Sequence, residues 1–212
     1  MSQKEQPSKW LGAIMYPLVW LIHKPDIHYE NGSDSDRIVL SEPTLVVSNH
    51  ISHIDGTIIS YVFRKNILRH LAAKDRCEQG GFFGWYLKKS GCIPIDRQAI
   101  STQWLHTSIN VMKQDGHSIA IYPEGRHGEN GQILPFHSGA TMIAAFAGVP
   151  VVLTYIDGPY RWFRHVDIIA TEPFKLPAPP NGLPTADYIA EQTEYLHTRM
   201  LELQAFAKAR SK

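Results

Sequence analysis

The strongest constraint on the fold is a repeated pattern, in which a short apolar run ends in polar residues and a segment with helical spacing follows. Short apolar runs bounded by turn residues are typical of buried strands, and strands that alternate with helices indicate an α/β domain. We therefore expect a mostly parallel central sheet flanked by helices. The predicted strands are 27–29, 37–40, 44–48, 68–73, 93–95, 118–122 and 150–156, the first two as a hairpin or edge pair, and the predicted helices are 56–64, 82–89, 102–114, 140–147 and 186–208.

Length and composition indicate one domain of low charge. A chain of 212 residues has the usual size of one domain, and 21 Lys and Arg against 20 Asp and Glu leave a formal charge of +1. Near-neutrality argues against binding to duplex nucleic acid, for which a strongly basic balance is expected. Cys77 and Cys92 cannot form a disulfide framework, and no Cys-x-x-Cys pair suggests zinc or redox chemistry.

An uncharged apolar run, residues 10–22, stands near the start of the chain. Its 13 residues are fewer than the roughly 20 that a helix needs to cross a bilayer, and Pro17 interrupts it. We expect residues 1–24 to form an amphipathic or apolar helix at the membrane interface, with Trp10, Tyr16 and Trp20 at headgroup depth. A helix buried in the core is the alternative. The main domain then covers residues 25–212.

A predicted strand runs directly into Asn49-His50, and Asp55 follows five residues after the histidine. A carboxylate beside an imidazole holds one ring nitrogen protonated and leaves the other free as a base. Such a pair can deprotonate a hydroxyl, which then attacks an acyl carbonyl. Ser52 fits a helix N-cap better than a nucleophile. Two other interpretations are open: His50, His53 and Asp55 as metal ligands, or His50 as a helix cap.

Two arginines follow later strand ends. Arg97 comes just after strand 93–95, and Arg126 follows Glu124-Gly125. A guanidinium group offers a planar fork of donors that suits phosphate or carboxylate, although an ordinary surface ion pair is the alternative for each arginine. Gly125 permits close backbone approach to a ligand, and Glu124 can orient the arginines or bind a hydroxyl. Because sites in such sheets lie beyond the carboxyl ends of the strands, we expect these residues near His50.

Together these segments resemble the glycerolipid acyltransferase family, which includes the 1-acylglycerol-3-phosphate acyltransferases. Four blocks occur in the family's order over about residues 40–160. The blocks are Asn49-His50-x-Ser52-x-x-Asp55, Gly91-x-Ile93-Pro94-Ile95-x-Arg97, Tyr122-Pro123-Glu124-Gly125-Arg126 and Val149-Pro150-Val151-Val152.

The resemblance implies an O-acyltransferase of phospholipid biosynthesis. It implies transfer of a fatty acyl group from a thioester of coenzyme A or acyl carrier protein to the free hydroxyl of a lysophospholipid, with 1-acylglycerol-3-phosphate as the first choice of acceptor. No metal or redox cofactor is expected, and the implied location is the cytoplasmic face of the membrane, as a peripheral or monotopic protein. The implied roles are general base for His50, orientation of that base for Asp55, acceptor binding for Arg97, Glu124, Gly125 and Arg126, and support for Asn49, Ser52 and Gly91.

Two departures from the family pattern leave other functions open. The family's third block reads Glu-Gly-Thr-Arg, whereas Arg126 follows Gly125 directly, and His137-Ser138 stands where a lysine is common. Both changes lie in the implied phosphate site, so a different lysolipid, such as lysophosphatidylethanolamine, is an alternative acceptor. A metal-dependent hydrolase and a non-catalytic lipid-binding protein are the alternatives from other classes.

Overall fold

An eight-stranded sheet forms the centre of the computed structural model, which describes residues 7–96, 102–128 and 131–210. The strands are β1 Pro25–Tyr29, β2 Asp34–Ser35, β3 Leu45–Ser48, β4 Leu68–Ala73, β5 Ile93–Ile95, β6 Ser118–Ile121, β7 Val151–Asp157 and β8 Val166–Ala170. The helices are α1 Lys9–His23, α2 Asp55–Val62, α3 Lys74–Glu78, α4 Gly81–Lys89, α5 Gln103–Lys113, α6 Gly139–Ala147 and α7 Ala186–Arg210, with a 3-10 turn at Pro180–Gly182.

The sheet is mostly parallel, which confirms the predicted α/β class. The strand order is β2-β1-β8-β7-β3-β6-β4-β5, and among these eight strands only β1 with β2 and β7 with β8 pair antiparallel. Strand β3 lies between β7 and β6 and is parallel to both. Its residues Leu45, Val46 and Val47 are completely buried, as expected of a central strand that is covered on both faces.

Helices cover both faces of the sheet. On one face, α5, α6 and α7 pack over Val47 and Leu153. On the other face, α1 and α2 pack over Val46 and Val152. The alternation of neighbouring residues between the two cores follows from the period of two in a strand. Gly148, in the left-handed conformation at φ 67°, ends α6 just before β7.

The predicted strand over residues 37–40 is wrong. Ile38 and Leu40 are buried, but their backbone groups bond to the end of α2 and the turn after it rather than to another strand. The Ile38 N–H donates to the Val62 carbonyl at 3.0 Å, and the Asn66 amide bonds both backbone groups of Leu40 at 2.9 and 2.8 Å. The short strand β2 therefore forms the hairpin with β1, and β8, which was not predicted, pairs with β1 on its other side.

Helix α1 belongs to the core and also exposes apolar surface. Leu11 and Val19 are buried, and the half-buried Tyr16 ring packs edge-on against Tyr61 of α2 with 6.1 Å between ring centroids, so Tyr16 does not lie on the exposed side with Trp10 and Trp20. The exposed side is formed by Trp10, Ile14, Leu18, Trp20 and Leu21, whose exposed fractions range from 45% to 57%. Among the described residues, no helix is both long and apolar enough to cross a membrane.

Candidate active site

The residues predicted to act together meet at the carboxyl ends of β3 and β6. Asn49, at the end of β3, continues the pairing with β7 through its side chain. Its amide nitrogen donates to the Ile156 carbonyl at 3.1 Å, and its amide oxygen accepts from the Ile156 N–H at 2.7 Å. Asn49 is buried, and its side chain thus fixes the backbone from which His50 projects.

His50 and Asp55 form the predicted pair. His50 Nδ1 lies 2.7 Å from Asp55 Oδ2, and Asp55 is completely buried. A carboxylate can only accept, so Nδ1 carries the proton and Nε2 keeps its lone pair. No described residue hydrogen-bonds Nε2, and the ring lines the main cavity. The arrangement is that of a general base held by an acid.

Asp55 also closes the turn that carries the histidine. Its Oδ2 accepts from the backbone N–H groups of Ile51 at 2.7 Å and Ser52 at 2.9 Å. Ser52 therefore supports the site through its backbone. It is not the helix N-cap that the sequence predicted, because α2 begins at Asp55 after Ile54, without a side-chain cap.

Tyr160 completes the set of donors around Asp55. Its hydroxyl donates to Asp55 Oδ1 at 2.8 Å. Burial, together with the nearby Asp55 carboxylate, raises the pKa of Tyr160 well above its usual value, so the hydroxyl keeps its proton. Nothing in the sequence pattern pointed to this residue, because it lies 105 positions after its partner and outside the four blocks.

Glu124 holds the main chain of His50. It is buried, its Oε1 accepts from the His50 N–H at 2.9 Å, and its Oε2 accepts from the Leu134 N–H at 2.9 Å. The Gly128 N–H donates to the His50 carbonyl at 2.9 Å, so both backbone groups of the histidine are fixed. Burial raises the pKa of Glu124. Within the described residues Glu124 thus positions the base and does not orient an arginine.

A cavity of about 730 Å³ opens beside His50, within the size range of small-molecule sites. The exposed arginines Arg76 and Arg126 form part of its wall. Much of the remaining wall is apolar and includes Leu71, Phe83, Leu87, Ile95, Trp104 and Met142. Cys92 also lines it, and burial raises the pKa of that thiol to about 12.

The predicted acceptor-binding residues lie at different places relative to this cavity. Arg126 lines it, and no carboxylate of the described residues lies within ion-pair distance. Gly125 lines it with φ 70°, a backbone conformation that favours glycine, and a Cβ there would lie 3.1 Å from His137 Cδ2, so that this exposed side chain would have to shift. Gly91, also at φ 70°, accepts a hydrogen bond from Arg69 Nε at 2.7 Å. Arg97 lies outside the described residues.

Three histidines cluster at the reactive ring. The His127 ring lies edge-on at 4.2 Å from His50 and at 4.5 Å from His53. Burial, followed by repulsion from these two neighbours, lowers the pKa of His127, which favours its neutral form. In the part of the chain that the structure describes, no three His, Cys, Asp or Glu side chains are arranged to hold a metal ion. The sequence did not single out His127 or Arg76.

The side chains of Tyr122 and the buried His70 stand behind His50. The Tyr122 ring stacks on His50 at 4.5 Å between centroids, and His70 lies beyond it at 6.3 Å. His70 Nε2 bonds the Ser60 hydroxyl at 2.7 Å. Burial lowers the pKa of His70 from 6.5 to about 4, so the folded protein holds this imidazole neutral.

The chain matches a family model and several proteins of known name. Residues 26–157 match the family model described as Acyltransferase. The 1-acyl-sn-glycerol-3-phosphate acyltransferase of Streptococcus pneumoniae is 26% identical over 151 residues, which are 71% of this chain and 54% of that protein. The Bacillus subtilis protein of the same name is 29% identical over 140 residues, or 64% of this chain and 68% of that protein.

A solved structure shares the fold. It is the 1-acyl-sn-glycerophosphate acyltransferase of Thermotoga maritima, with a TM-score of 0.62 and 24% identity over 93% of this chain and 78% of that chain. The present chain spans about half the length of the pneumococcal relative and about two thirds of the length of the Bacillus relative.

The buried His70 predicts a loss of stability in acid. The His70 imidazole takes up a proton at about pH 6.5 in the unfolded chain but only near pH 4 in the folded protein. The contribution of the neutral imidazole to stability is therefore complete above pH 6.5 and is lost as the pH falls through this window. The difference between 6.5 and about 4 corresponds to roughly 3 kcal/mol. In urea denaturation across this pH range, the free energy of unfolding of His70→Gln is expected to fall by about that much less than that of the wild type.

The matched control is His106→Gln, because His106 is exposed on α5. It is expected to follow the wild-type profile. Parallel pH profiles for His70→Gln and the wild type would contradict the assignment.

Proposed function

The chain belongs to the acyltransferase family, and on that premise we propose that it moves a fatty acyl group from a thioester donor to the free hydroxyl of a lysophospholipid. The proposed acceptor is 1-acylglycerol-3-phosphate, the substrate named for the pneumococcal and Bacillus relatives. The proposed donor is acyl-coenzyme A or acyl carrier protein, and the proposed pathway is phospholipid biosynthesis.

The observation that supports this chemistry best is the His50–Asp55 pair beside the cavity. Nε2 takes the proton of the acceptor hydroxyl as its oxygen attacks the thioester carbonyl. Collapse of the tetrahedral intermediate breaks the carbon–sulfur bond, and the imidazolium returns the proton to the leaving thiolate. Asp55 stabilises the positive charge of the ring between these two steps.

The cavity has surfaces that suit both the acyl chain and the headgroup. Its apolar walls suit a fatty acyl chain, and its exposed arginines suit an anionic headgroup. We assign the acceptor phosphate to Arg126, with Arg76 as a second cation at the same cavity and Arg97 as a further member of this site. Glu124 contributes by fixing the main chain of His50.

The lipid acceptor requires a position at the membrane. The apolar side of α1, which includes Trp10 and Trp20, is exposed along one helix face. We assign this face to the membrane interface, at the cytoplasmic side where acyl thioesters are made and used. The opposite side of α1 stays packed on α2.

Loss of either member of the pair is expected to lower kcat by about 10²–10⁴, the usual contribution of a positioned general base. The variants are His50→Ala and Asp55→Asn, measured by lysolipid-dependent release of free thiol. His106→Ala on the surface of α5 is the control. Near-normal turnover of His50→Ala would overturn the mechanism.

Tyr160→Phe tests the hydroxyl that donates to Asp55. A hydrogen bond to a charged group contributes about 1.5–3 kcal/mol, so kcat is expected to fall roughly tenfold or more. The acceptor KM should change little, because Tyr160 does not line the cavity. Tyr29→Phe on β1 is the matched control. An unchanged kcat would mean that the backbone donors alone hold Asp55.

Arg126→Ala is expected to raise the acceptor KM by about tenfold with a smaller effect on kcat, as loss of ground-state binding does. A panel of lysophosphatidate and lysophosphatidylethanolamine acceptors shows whether that loss is specific for a phosphomonoester. Arg37→Ala, another exposed arginine, is the control. A fall in kcat at constant KM would instead place Arg126 in the chemical step, and no acceptor-dependent thiol release by the wild type would overturn the proposed function.

A further inference from the structure

The turn after β7 exposes two neighbouring aromatic side chains. Residues 161–164, Arg-Trp-Phe-Arg, form this aromatic–basic loop, and the Arg164 N–H bonds the Arg161 carbonyl at 3.3 Å. Trp162 is 76% exposed, the highest value for a large apolar side chain in the described part of the chain, and Phe163 is 65% exposed. Two large aromatic rings exposed to water are unfavourable unless a partner covers them. The pair therefore indicates a binding surface.

The charges of the loop favour an anionic partner. Arg161 and Arg164 flank the two aromatic residues, both are exposed, and neither has a described carboxylate within ion-pair distance. The next residue, His165, is also exposed and pairs with the Asp26 carboxylate of β1. Tryptophan is enriched at the headgroup region of bilayers, and arginines near the surface are attracted to negatively charged lipids.

The residue that leads into the loop contacts the carboxyl end of α1. Tyr160, directly before the loop, places its ring 5.3 Å from His23 at the end of α1. At the other end of α1, Trp10 contacts Trp85 of α4 at 5.8 Å, and Trp85 contacts Phe82, which is 71% exposed. Exposed aromatic groups therefore lie at both ends of α1.

We propose that the aromatic–basic loop is a second membrane contact, which binds the surface of an anionic bilayer together with α1. The proposal rests on the proposed function in one respect, since it places the lipid acceptor in that bilayer. A bilayer is favoured over a protein partner because the loop follows a residue that contacts the end of α1, whose apolar side is exposed, and because Arg161 and Arg164 have no described carboxylate within ion-pair distance. Because Tyr160 also bonds Asp55, the loop that meets the lipid is joined directly to the catalytic pair.

The test is sedimentation of the full-length protein with vesicles of phosphatidylcholine, alone or mixed with phosphatidylglycerol. The double variant Trp162→Ser/Phe163→Ser is expected to bind both kinds of vesicle with an affinity lower than that of the wild type by about tenfold or more, because the rings no longer enter the interface. The affinity of Arg161→Gln/Arg164→Gln is expected to fall by about tenfold or more for the mixed vesicles and to stay unchanged for phosphatidylcholine alone, because the two arginine charges act only on anionic lipid.

Leu183→Ser is the matched control. Leu183 is 72% exposed, but it precedes α7, which packs on the opposite face of the sheet from α1. It is expected to bind vesicles as the wild type does. Thermal unfolding of each variant should stay at the wild-type temperature, since the exchanged side chains are exposed.

Wild-type vesicle binding by both double variants would overturn the proposal. So would a concentration-dependent dimer, seen by sedimentation velocity, that the aromatic variant loses, because the surface would then bind a second copy of the chain. A second assay, acyl transfer to lysolipid in detergent micelles, distinguishes failure of the membrane-contact proposal from failure of the proposed function. Both variants should keep wild-type rates there, whereas failure of the wild type itself would overturn the proposed function and leave the vesicle result standing.

Discussion

The fully buried carboxylate of Asp55 is the interaction on which the site depends. A charge without solvent is costly unless donors replace the water, and here four donors do so. They are His50 Nδ1, the backbone N–H groups of Ile51 and Ser52, and the Tyr160 hydroxyl. These groups come from the end of β3, the turn before α2 and the segment after β7. Satisfying one carboxylate therefore fixes three parts of the chain around one imidazole.

The same principle operates a second time at the backbone of His50. Glu124, at the end of β6, is buried and receives backbone N–H groups from His50 and Leu134. Asn49 does the same without a charge, because its side-chain amide makes the two hydrogen bonds to Ile156 of β7 that a strand backbone would make. The parallel sheet makes this possible, because it brings the carboxyl ends of β7, β3 and β6 side by side. The reactive ring is thus held by both its side chain and its main chain.

Short-range features of this site could be predicted from the sequence, and long-range ones could not. The His50–Asp55 pair and strands β4 and β5 follow from local spacing, and the structure has them as predicted. Tyr160 was missed because its partner lies far away in the sequence. The predicted strand at 37–40 was wrong because apolar residues there are buried by a turn, with Asn66 taking the place of a neighbouring strand.

Cys92 has a consequence for a cavity that is proposed to receive thioesters. A thiolate there would exchange with the donor and leave the acyl group on the protein, since thiolates attack thioesters readily. Burial keeps this thiol protonated, with a pKa of about 12, and the Ser90 hydroxyl lies 3.4 Å from its sulfur. A protonated thiol is a poor nucleophile. Raising the pKa of Cys92 thereby disfavours acylation of this side chain in the wall of the proposed acyl-transfer site, so that it competes little with the acceptor hydroxyl.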